Sequence, residues 1–259
     1  MSAKINTTSI FYYDYDVLST LKYLDFDEGG GEITIELTAQ SYTPTELALE
    51  IQTKMTAAGA LTYVVTFNRN ERSFTIESTT STFDLLVQNG SSAGASVFGL
   101  IGFTGPDRTG AGTYTGSEET GDFYIPQFKL QDYIDQESNK ALVDAAVNRS
   151  ADGRVEVVRF GTERFYQMNI RFATNEPMDG HVIRSNPNGV SDLERFMDYI
   201  VEKKPFEFMK DFALRTNFAK VLLEQTPADN EGTSYSLVER FDVSLPGIFD
   251  TGILRLRVI

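Results

Sequence analysis

The chain of 259 residues contains no cysteine and no tryptophan, and its one histidine is His181. Without cysteine there are no disulfides, no thiolate metal ligands and no cysteine nucleophile. Histidine is the side chain used most often for general acid–base catalysis, so a single histidine disfavours an enzyme. We therefore expect a protein that is not an enzyme and that holds no cofactor and no metal.

Basic residues are also few, since 23 Lys and Arg face 37 Asp and Glu and give a net charge of −14. A protein that binds duplex nucleic acid needs a basic face, so nucleic acid is not an expected partner. The longest apolar stretch, Val97–Phe103, is far too short to span a bilayer. The first residues lack the charged and apolar regions of a signal peptide. We expect no membrane insertion, and synthesis in a cytoplasm.

Apolar and aromatic residues are plentiful, with 19 Phe, 12 Tyr and an apolar fraction of 41%. This composition supports a packed core, and the length suits one large domain or two ordinary ones. The Gly- and Thr-rich stretch Thr104–Gly121 is the best candidate for a flexible domain boundary. We therefore predict an N-terminal accessory α+β module over residues 1–120 and a second module over residues 121–259.

The first module is predicted to be a sheet covered by one helix. Thr43-Pro44-Thr45-Glu46 matches a capping box with proline at the first helical position. Apolar residues then recur every fourth position, at Leu47, Ile51 and Met55. Gly59 is predicted to end the helix in the left-handed conformation. Strands are predicted at Glu32–Thr38, Tyr63–Phe67, Phe74–Ile76 and Phe83–Val87.

The second module is also predicted to combine strands with one helix. Asn139–Val147 is compatible with a short helix, and two strands are expected on either side of a turn at Gly161-Thr-Glu163. Ser191-Asp-Leu-Glu194 matches a second capping box, followed by an apolar stripe. Further strands are predicted at Phe218–Glu224, Tyr235–Leu245 and Ile253–Ile259. The fold class is mainly β (α+β), with two β-rich modules that each carry one amphipathic helix packed on a sheet.

Two motifs could in principle belong to a catalytic or a metal-binding site. Gly90-Ser-Ser92-Ala-Gly94 matches the G-x-S-x-G pattern of serine hydrolases, for which His181 would be the base. No helical stripe follows Gly94, which favours a flexible loop, but a hydrolase that uses Ser92 stays as an alternative. Carboxylates are also close together in Asp25-Phe-Asp27-Glu28-Gly29 and at Asp14 and Asp16. They lack the ligand spacing of an EF-hand calcium loop, which favours solvated turn residues, and a calcium site stays as an alternative.

The one local concentration of basic residues surrounds an aromatic run, Phe206–Phe212. In one interpretation the basic residues form a solvated face and the aromatic residues form a strand core. In the other interpretation both groups contact a neighbouring subunit. Under the second interpretation, the candidate interface residues are Phe206, Phe208, Lys203, Lys204, Lys210 and Arg215.

Residues 23–103 resemble a module recurrent in structural proteins of tailed bacteriophages. The resemblance is carried by Tyr23-Leu-Asp-Phe-Asp-Glu-Gly-Gly-Gly, Ser41-Tyr-Thr-Pro-Thr-Glu-Leu-Ala-Leu-Glu, Tyr63-Val-Val-Thr-Phe and Leu100-Ile-Gly-Phe. The C-terminal half resembles the small β-barrel of distal tail and minor tail proteins. There the matching segments are Asp192-Leu-Glu-Arg-Phe-Met-Asp-Tyr-Ile and Lys204-Pro-Phe-Glu-Phe-Met-Lys-Asp.

The resemblance implies a virion protein that is assembled in the host cytoplasm and forms a ring, commonly six-fold, around the tail axis. Residues 121–259 would be the ring-forming barrel. The expected partners are copies of the chain and other tail or neck proteins. Distal tail proteins usually begin with the barrel, whereas in this chain the extra module comes first. A neck or tail-terminator protein is therefore an alternative, and a host-surface glycan-binding module over residues 1–120 is an alternative of another class.

Overall fold

The computed structural model describes residues 10–117, 119–125, 138–149, 155–170, 173, 190–209, 218–239 and 247–259. The chain forms two compact units. Tyr12–Asp122 is one, which we call the inserted unit. Phe123–Ile259 together with Met1–Phe11 is the other, which we call the framework unit. The sequence-based division at residue 120 assigned the residues before Tyr12 to the first module, whereas in the structure they belong to the framework unit.

In the described residues these units contain two α-helices, two short 3-10 helices and a series of mostly short strands. The α-helices are α1 (Pro44–Ala58) and α2 (Val190–Val201). The strands in the first half of the chain are β1 (Ile10–Tyr13), β2 (Tyr15–Asp16), β3 (Tyr23–Asp27), β4 (Glu32–Glu36), β5 (Ser41–Tyr42), β6 (Tyr63–Asn68), β7 (Ser73–Ser78), β8 (Phe83–Leu85), β9 (Arg108–Ala111), β10 (Thr113–Thr115) and β11 (Asp122–Tyr124). The later strands are β12 (Ser138–Arg149), β13 (Val155–Asn169), β14 (Phe206–Met209), β15 (Phe218–Gln225), β16 (Val238–Glu239), β17 (Phe249–Asp250) and β18 (Ile253–Val258).

The framework unit is built on a seven-stranded sheet in the order β11-β1-β14-β15-β18-β13-β12. The first described strand, β1, therefore lies between two strands from later in the chain. The chain leaves this sheet after β1 and returns to it at the neighbouring strand β11. The inserted unit is thus a chain insertion between two adjacent strands. The described strands have β11 and β12 as their edges, so they do not close into a barrel.

Helix α2 packs on this sheet through a cluster of aromatic rings. Phe196 of the helix is buried, with its ring centroid 4.8 Å from that of Phe11 and 5.2 Å from that of Phe206. Phe208 lies 5.3 Å from Phe11, again between centroids, and Tyr124 stacks 5.7 Å from Phe196. Aromatic side chains bury large apolar areas, so this cluster stabilises the helix on the sheet. The predicted helix is confirmed, and it begins at Val190, one residue before the predicted cap Ser191.

The inserted unit combines a four-stranded sheet, β4-β3-β8-β9, with a three-stranded sheet, β10-β7-β6, and α1 packs against β6 and β4. The predicted capping box is confirmed, because the Glu46 N–H donates to Thr43 Oγ1 at 3.3 Å and the Thr43 N–H donates to Glu46 Oε2 at 3.1 Å. The predicted stripe Leu47, Ile51 and Met55 is fully buried. The predicted hairpin is the antiparallel pair β6 and β7.

Gly59 follows α1 with φ −92° and ψ 178°, which is an extended conformation. The prediction of a left-handed cap at this position was therefore wrong. The structure gives another reason for a glycine. A Cβ at this position would lie 2.9 Å from Cδ of Glu28. That carboxylate accepts hydrogen bonds from the N–H groups of Ala60 at 2.7 Å and Leu61 at 3.2 Å.

The Gly/Thr stretch Thr104–Gly121 is not a linker, and this prediction is corrected. It contains β9, which pairs with β8, and β10, which pairs with β7. Gly116 allows a close backbone approach, because a Cβ at this position would lie 2.7 Å from the Ile101 carbonyl oxygen. The stretch is therefore part of both sheets of the inserted unit.

Three predictions for the framework unit are also corrected. Asn139–Val147, which is compatible with a helix in sequence, lies within strand β12. The turn predicted at Gly161 is absent, because β13 runs continuously from Val155 to Asn169. The register with β12 shifts between Asp144 and Ala145, opposite Gly161 and Arg159, so the glycine marks a β-bulge. Of the predicted strand Tyr235–Leu245, the described residues form only β16, and residues 240–246 lie outside the described part.

The predicted fold class is confirmed: the chain is mainly β, with two β-rich units that each carry one helix packed on antiparallel strands. The predicted strands near the C-terminus are β15 and β18, which pair with each other. None of the helices in the described segments has the length and apolarity needed to cross a bilayer.

Candidate functional site

The G-x-S-x-G segment is a loop held by a buried carboxylate. The Ser92 N–H donates to Asp25 Oδ2 at 2.7 Å, and the Thr34 hydroxyl donates to Asp25 Oδ1 at 2.7 Å. Gly90 lies close to both Asp25 and Leu86, because a Cβ at this position would lie 2.7 Å from Cβ of Asp25 and 2.8 Å from the Leu86 carbonyl oxygen. A single 3-10 turn, Ala93–Ala95, follows. A nucleophile elbow requires a strand, a sharp turn and a helix, so this segment lacks the geometry of a hydrolase. His181 lies outside the described residues.

The acidic segment after Asp25 caps backbone donors. Asp27 Oδ1 accepts hydrogen bonds from the N–H groups of Gly29 at 2.7 Å and Gly31 at 3.0 Å. The Glu28 carboxylate, which caps the residues after α1, also accepts from the Tyr63 hydroxyl at 2.9 Å. Burial, together with this hydrogen bond, raises the pKa of Tyr63. Within the described part of the chain no cluster of three or more acidic or histidine side chains could hold a metal ion.

The predicted interface residues Phe206 and Phe208 belong to the core of the framework unit. Their exposed fractions are 0% and 1%, and both rings contact Phe11 of strand β1. This corrects the expectation that they face a neighbouring subunit. A short apolar run has the same composition in a core strand and in an interface, so the sequence pattern alone does not separate the two.

The predicted basic cluster is divided between structural and surface roles. Lys203 follows α2 with a left-handed φ of 62°, and its Nζ donates to the Leu223 carbonyl oxygen at 2.8 Å and to that of Glu231. Lys204 Nζ lies 2.9 Å from Glu202 Oε2 and 4.9 Å from the centroid of the Tyr199 ring. Lys203 therefore ties the end of the helix to the sheet. Lys210 and Arg215 lie outside the described residues.

The feature that the sequence did not predict is a long two-stranded ribbon at one edge of the framework sheet. Strand β12 pairs antiparallel with β13 from Ser138 opposite Gln167 to Arg149 opposite Val155. The next strand, β18, pairs with β13 only over Phe165–Asn169. Residues 141–149 and Val155–Arg164 thus extend past the other described strands as a pair, which we call the ribbon. Ten residues of strand correspond to a length of about 33 Å.

The ribbon has open edges in the described part of the structure. Strand β12 has β13 as its one partner among the described strands, and β13 has only β12 over Val155–Arg164. An edge strand exposes a row of backbone N–H and C=O groups that can pair with another chain. The valines at positions 143, 147, 155, 157 and 158 were the available signal in the sequence, since β-branched residues favour strands.

In the inserted unit, in contrast, helix α1 covers the β6 edge of the three-stranded sheet. Strand β6 is at the edge of the three-stranded sheet, and helix α1 lies against it. The Val65 N–H donates to Gln52 Oε1 at 3.1 Å, and the Tyr63 N–H donates to Thr56 Oγ1 at 3.1 Å. Side chains of the helix thus replace the carbonyl groups that a further strand would supply. Natural proteins cover edge strands in this way to prevent pairing.

The net negative charge is concentrated in the inserted unit, which holds 16 acidic and 5 basic residues and has a net charge of −11. Its Phe and Tyr side chains are all buried or half-buried, and Tyr12, Tyr15 and Tyr63 are less than 2% exposed. The exposed aromatic surface that would support glycan binding is therefore lacking in this unit's described residues. The ribbon differs in charge, with three acidic and three basic residues and no net charge.

A comparison with models of protein families finds no match to this chain, and a comparison with curated proteins finds no significant relative.

Proposed function

We propose that the chain is a structural protein of a tailed-bacteriophage virion, without enzymatic activity. In this proposal it is a ring component of the tail or baseplate that surrounds the tail axis and joins the tail tube to tip proteins. The framework unit builds the ring, and the inserted unit is an accessory module on it. The two sequence resemblances supply the class of protein, and the ribbon supplies the physical reason for assembly.

The ribbon is the observation that carries the proposal. A two-stranded ribbon is marginally stable in water unless a third strand, a sheet or a helix covers it. In the described structure, residues 141–149 and Val155–Arg164 pair only with each other. A protein that functions as a monomer would expose these edges to aggregation, whereas a symmetric assembly uses them as contacts.

The charge distribution supports the same conclusion. A chain with a net charge of −14 repels its own copies, and most of that charge lies in the inserted unit. Contact between copies through the framework unit costs least, because that unit carries a net charge of only −3.

The position in the virion can be tested by immunogold electron microscopy. An antibody raised against the full chain would be applied to intact particles of the phage whose genome encodes it. We expect label on the tail, concentrated at one level of the tail axis, and no label in particles that lack the gene product. Label distributed over the head, or absent from purified particles, would contradict the proposed function.

A further inference from the structure

The pair Asn89-Gly90 in the inserted unit has the chemistry of a spontaneously modified site. The main-chain nitrogen of the residue after an asparagine can attack the side-chain carbonyl carbon, Cγ, which makes asparagine a thermolabile residue. A glycine in that position favours the attack, because it has no side chain to shield its nitrogen and its backbone is free to adapt. Asn89 is exposed in a turn that follows strand β8, so water reaches it.

The structure holds the asparagine of this pair by both of its nitrogens. Asp107 Oδ1 accepts hydrogen bonds from the N–H groups of Gln88 at 2.7 Å and Asn89 at 3.1 Å. Asp107 Oδ2 accepts another from Asn89 Nδ2 at 2.8 Å. We call these three hydrogen bonds the Asp107 clamp. Burial raises the pKa of Asp107, but the hydrogen bonds from Gln88 and Asn89 outweigh burial and lower that pKa overall, so the clamp is a charged acceptor at neutral pH.

The glycine of the pair is fixed by its neighbours. The next two N–H groups along the chain also donate to carboxylates, that of Ser91 to Glu32 Oε1 and that of Ser92 to Asp25 Oδ2, each at 2.7 Å. A Cβ added to Gly90 would lie 2.7 Å from Cβ of Asp25, so the glycine backbone is packed against the sheet. The freedom that makes a glycine reactive in an unfolded chain is therefore restricted in this loop.

We propose that Asn89 is a site of spontaneous conversion to aspartate and isoaspartate, and that the Asp107 clamp controls the rate of this conversion. The Gly90 nitrogen forms a bond to Asn89 Cγ and loses its proton, while the Cγ–Nδ2 bond breaks and the amide nitrogen leaves as ammonia. The product is a cyclic succinimide. One water molecule then opens the ring at either carbonyl, which gives aspartate or isoaspartate without any oxidant or reductant.

The clamp opposes the first step of this reaction. Ring closure needs a near-attack geometry, with the Gly90 nitrogen about 3–3.5 Å from Asn89 Cγ and aligned with it. Hydrogen bonds to a charged carboxylate stabilise the orientation in which Asn89 is held, so they are lost when the side chain turns toward the glycine. We therefore expect the conversion to occur in molecules whose loop has opened locally.

The conversion also prevents the clamp from forming again. Both products carry a carboxylate at position 89 in place of the amide that donates to Asp107, so two like charges would face each other. Isoaspartate in addition lengthens the main chain by one carbon. Conversion of Asn89 is therefore a one-way change in the loop between β8 and β9, and it does not depend on the proposed function.

Peptide mapping by mass spectrometry measures the conversion in the full chain. The protein would be incubated at mildly alkaline pH, either folded or unfolded in guanidinium chloride, where the clamp is absent. We expect Asn89 to convert at least about tenfold more slowly in the folded chain. Asn188-Gly189, a second pair of this kind that lies outside the described residues, is the internal reference in the unfolded chain, where both pairs should convert at similar rates.

Variants of the clamp test its role. Asp107→Ala should accelerate the conversion of Asn89 in the folded chain by about tenfold. Asp107→Asn, which keeps one acceptor oxygen, should accelerate it by less, and it carries the test if the alanine variant does not fold. Glu28→Ala is the matched control, because it removes another carboxylate that holds N–H groups of the same unit and leaves the clamp intact.

Three results would each overturn the proposal. The first is an equal rate of conversion at Asn89 in the folded and the unfolded chain. The second is an unchanged rate in the folded variants of Asp107. The third is an equal acceleration by Glu28→Ala, because loosening of the whole inserted unit, and not the clamp, would then control the rate.

Discussion

Replacing Gly59 by alanine should destabilise the inserted unit, although the backbone at this position accepts alanine without strain. Removing glycine from an extended position normally stabilises a protein by about 0.4–1 kcal/mol, because the unfolded chain loses freedom. In this structure, however, the new Cβ would lie 2.9 Å from Cδ of Glu28 and would displace that carboxylate. The carboxylate accepts three hydrogen bonds, from the Ala60 N–H, the Leu61 N–H and the Tyr63 hydroxyl.

Each of these hydrogen bonds contributes about 1 kcal/mol net, so the loss of three exceeds the entropic gain by about 2 kcal/mol. The assay is urea unfolding of the full chain, combined with hydrogen exchange at the amides of Ala60 and Leu61, which should lose protection. Gly30→Ala is the control, because a Cβ at Gly30 would meet nothing within 4 Å.

A double-mutant cycle decides whether Glu28 is the cause. In a Glu28→Ala background the obstacle is gone, so Gly59→Ala should become neutral or stabilising by about 0.5 kcal/mol. An equal loss of stability in both backgrounds would refute the reasoning, because the cost would then have no connection with the carboxylate.

Three further predictions concern the buried carboxylate of Asp25, the lysines Lys203 and Lys204, and the dependence of stability on pH below neutral. Asp25→Asn should lower the free energy of unfolding by about 2 kcal/mol, because a buried acceptor of two hydrogen bonds is weakened; Ser92→Ala should change it by less than about 0.5 kcal/mol, because only the Ser92 backbone is bonded. Lys203→Met should cost about 1–2 kcal/mol through its lost carbonyl contacts, and Lys204→Met less than about 1 kcal/mol, both by urea unfolding; a larger loss for Lys204→Met would contradict their assignment. Hydrogen bonds from the Thr233 hydroxyl and from the backbone N–H groups of residues 231, 233 and 234 lower the pKa of Asp229. Its contribution to stability is therefore present above the unfolded pKa of about 4 and is lost as pH falls. The urea midpoint of Asp229→Asn should fall less than that of the unmodified chain between neutral pH and about pH 2, and parallel curves would disprove the linkage.

The elements that the sequence predicted correctly are those with local signals. Helix α1 is determined by signals that lie within a few helical turns of one another. These are the capping box at Thr43 and the apolar stripe of Leu47, Ile51 and Met55. The hairpin of β6 and β7 is marked by polar turn residues between two apolar runs. In these places, the residues that decide the structure are close in sequence.

The parts that the sequence did not predict depend on distant contacts. Strand β1 lies between β11 and β14, so the framework unit cannot be recognised without pairing across more than a hundred residues. Gly161 interrupts a strand pattern and was assigned to a turn, whereas it lies at a β-bulge. Gly59 was explained by its backbone freedom, whereas the structure explains it by the nearby Glu28 carboxylate.

The candidate site was misplaced for a related reason. Phe206 and Phe208 were singled out because aromatic residues are common at interfaces, but they fill the space between α2 and β1. The ribbon was overlooked because Gly161 was assigned to a turn, which divided β13 into two strands, and because Asn139–Val147 is compatible with a helix. An open edge is a property of strand pairing, and pairing is visible only once the sheet order is known.

The measurement that tests the central claim most directly is the mass of the purified full chain by light scattering, with negative-stain images of the same sample. We expect a closed ring of defined copy number with rotational symmetry, and a mass equal to that number of 28.9 kDa chains. A mass of one chain over the whole concentration range, or a two-fold dimer that grows no further, would contradict it.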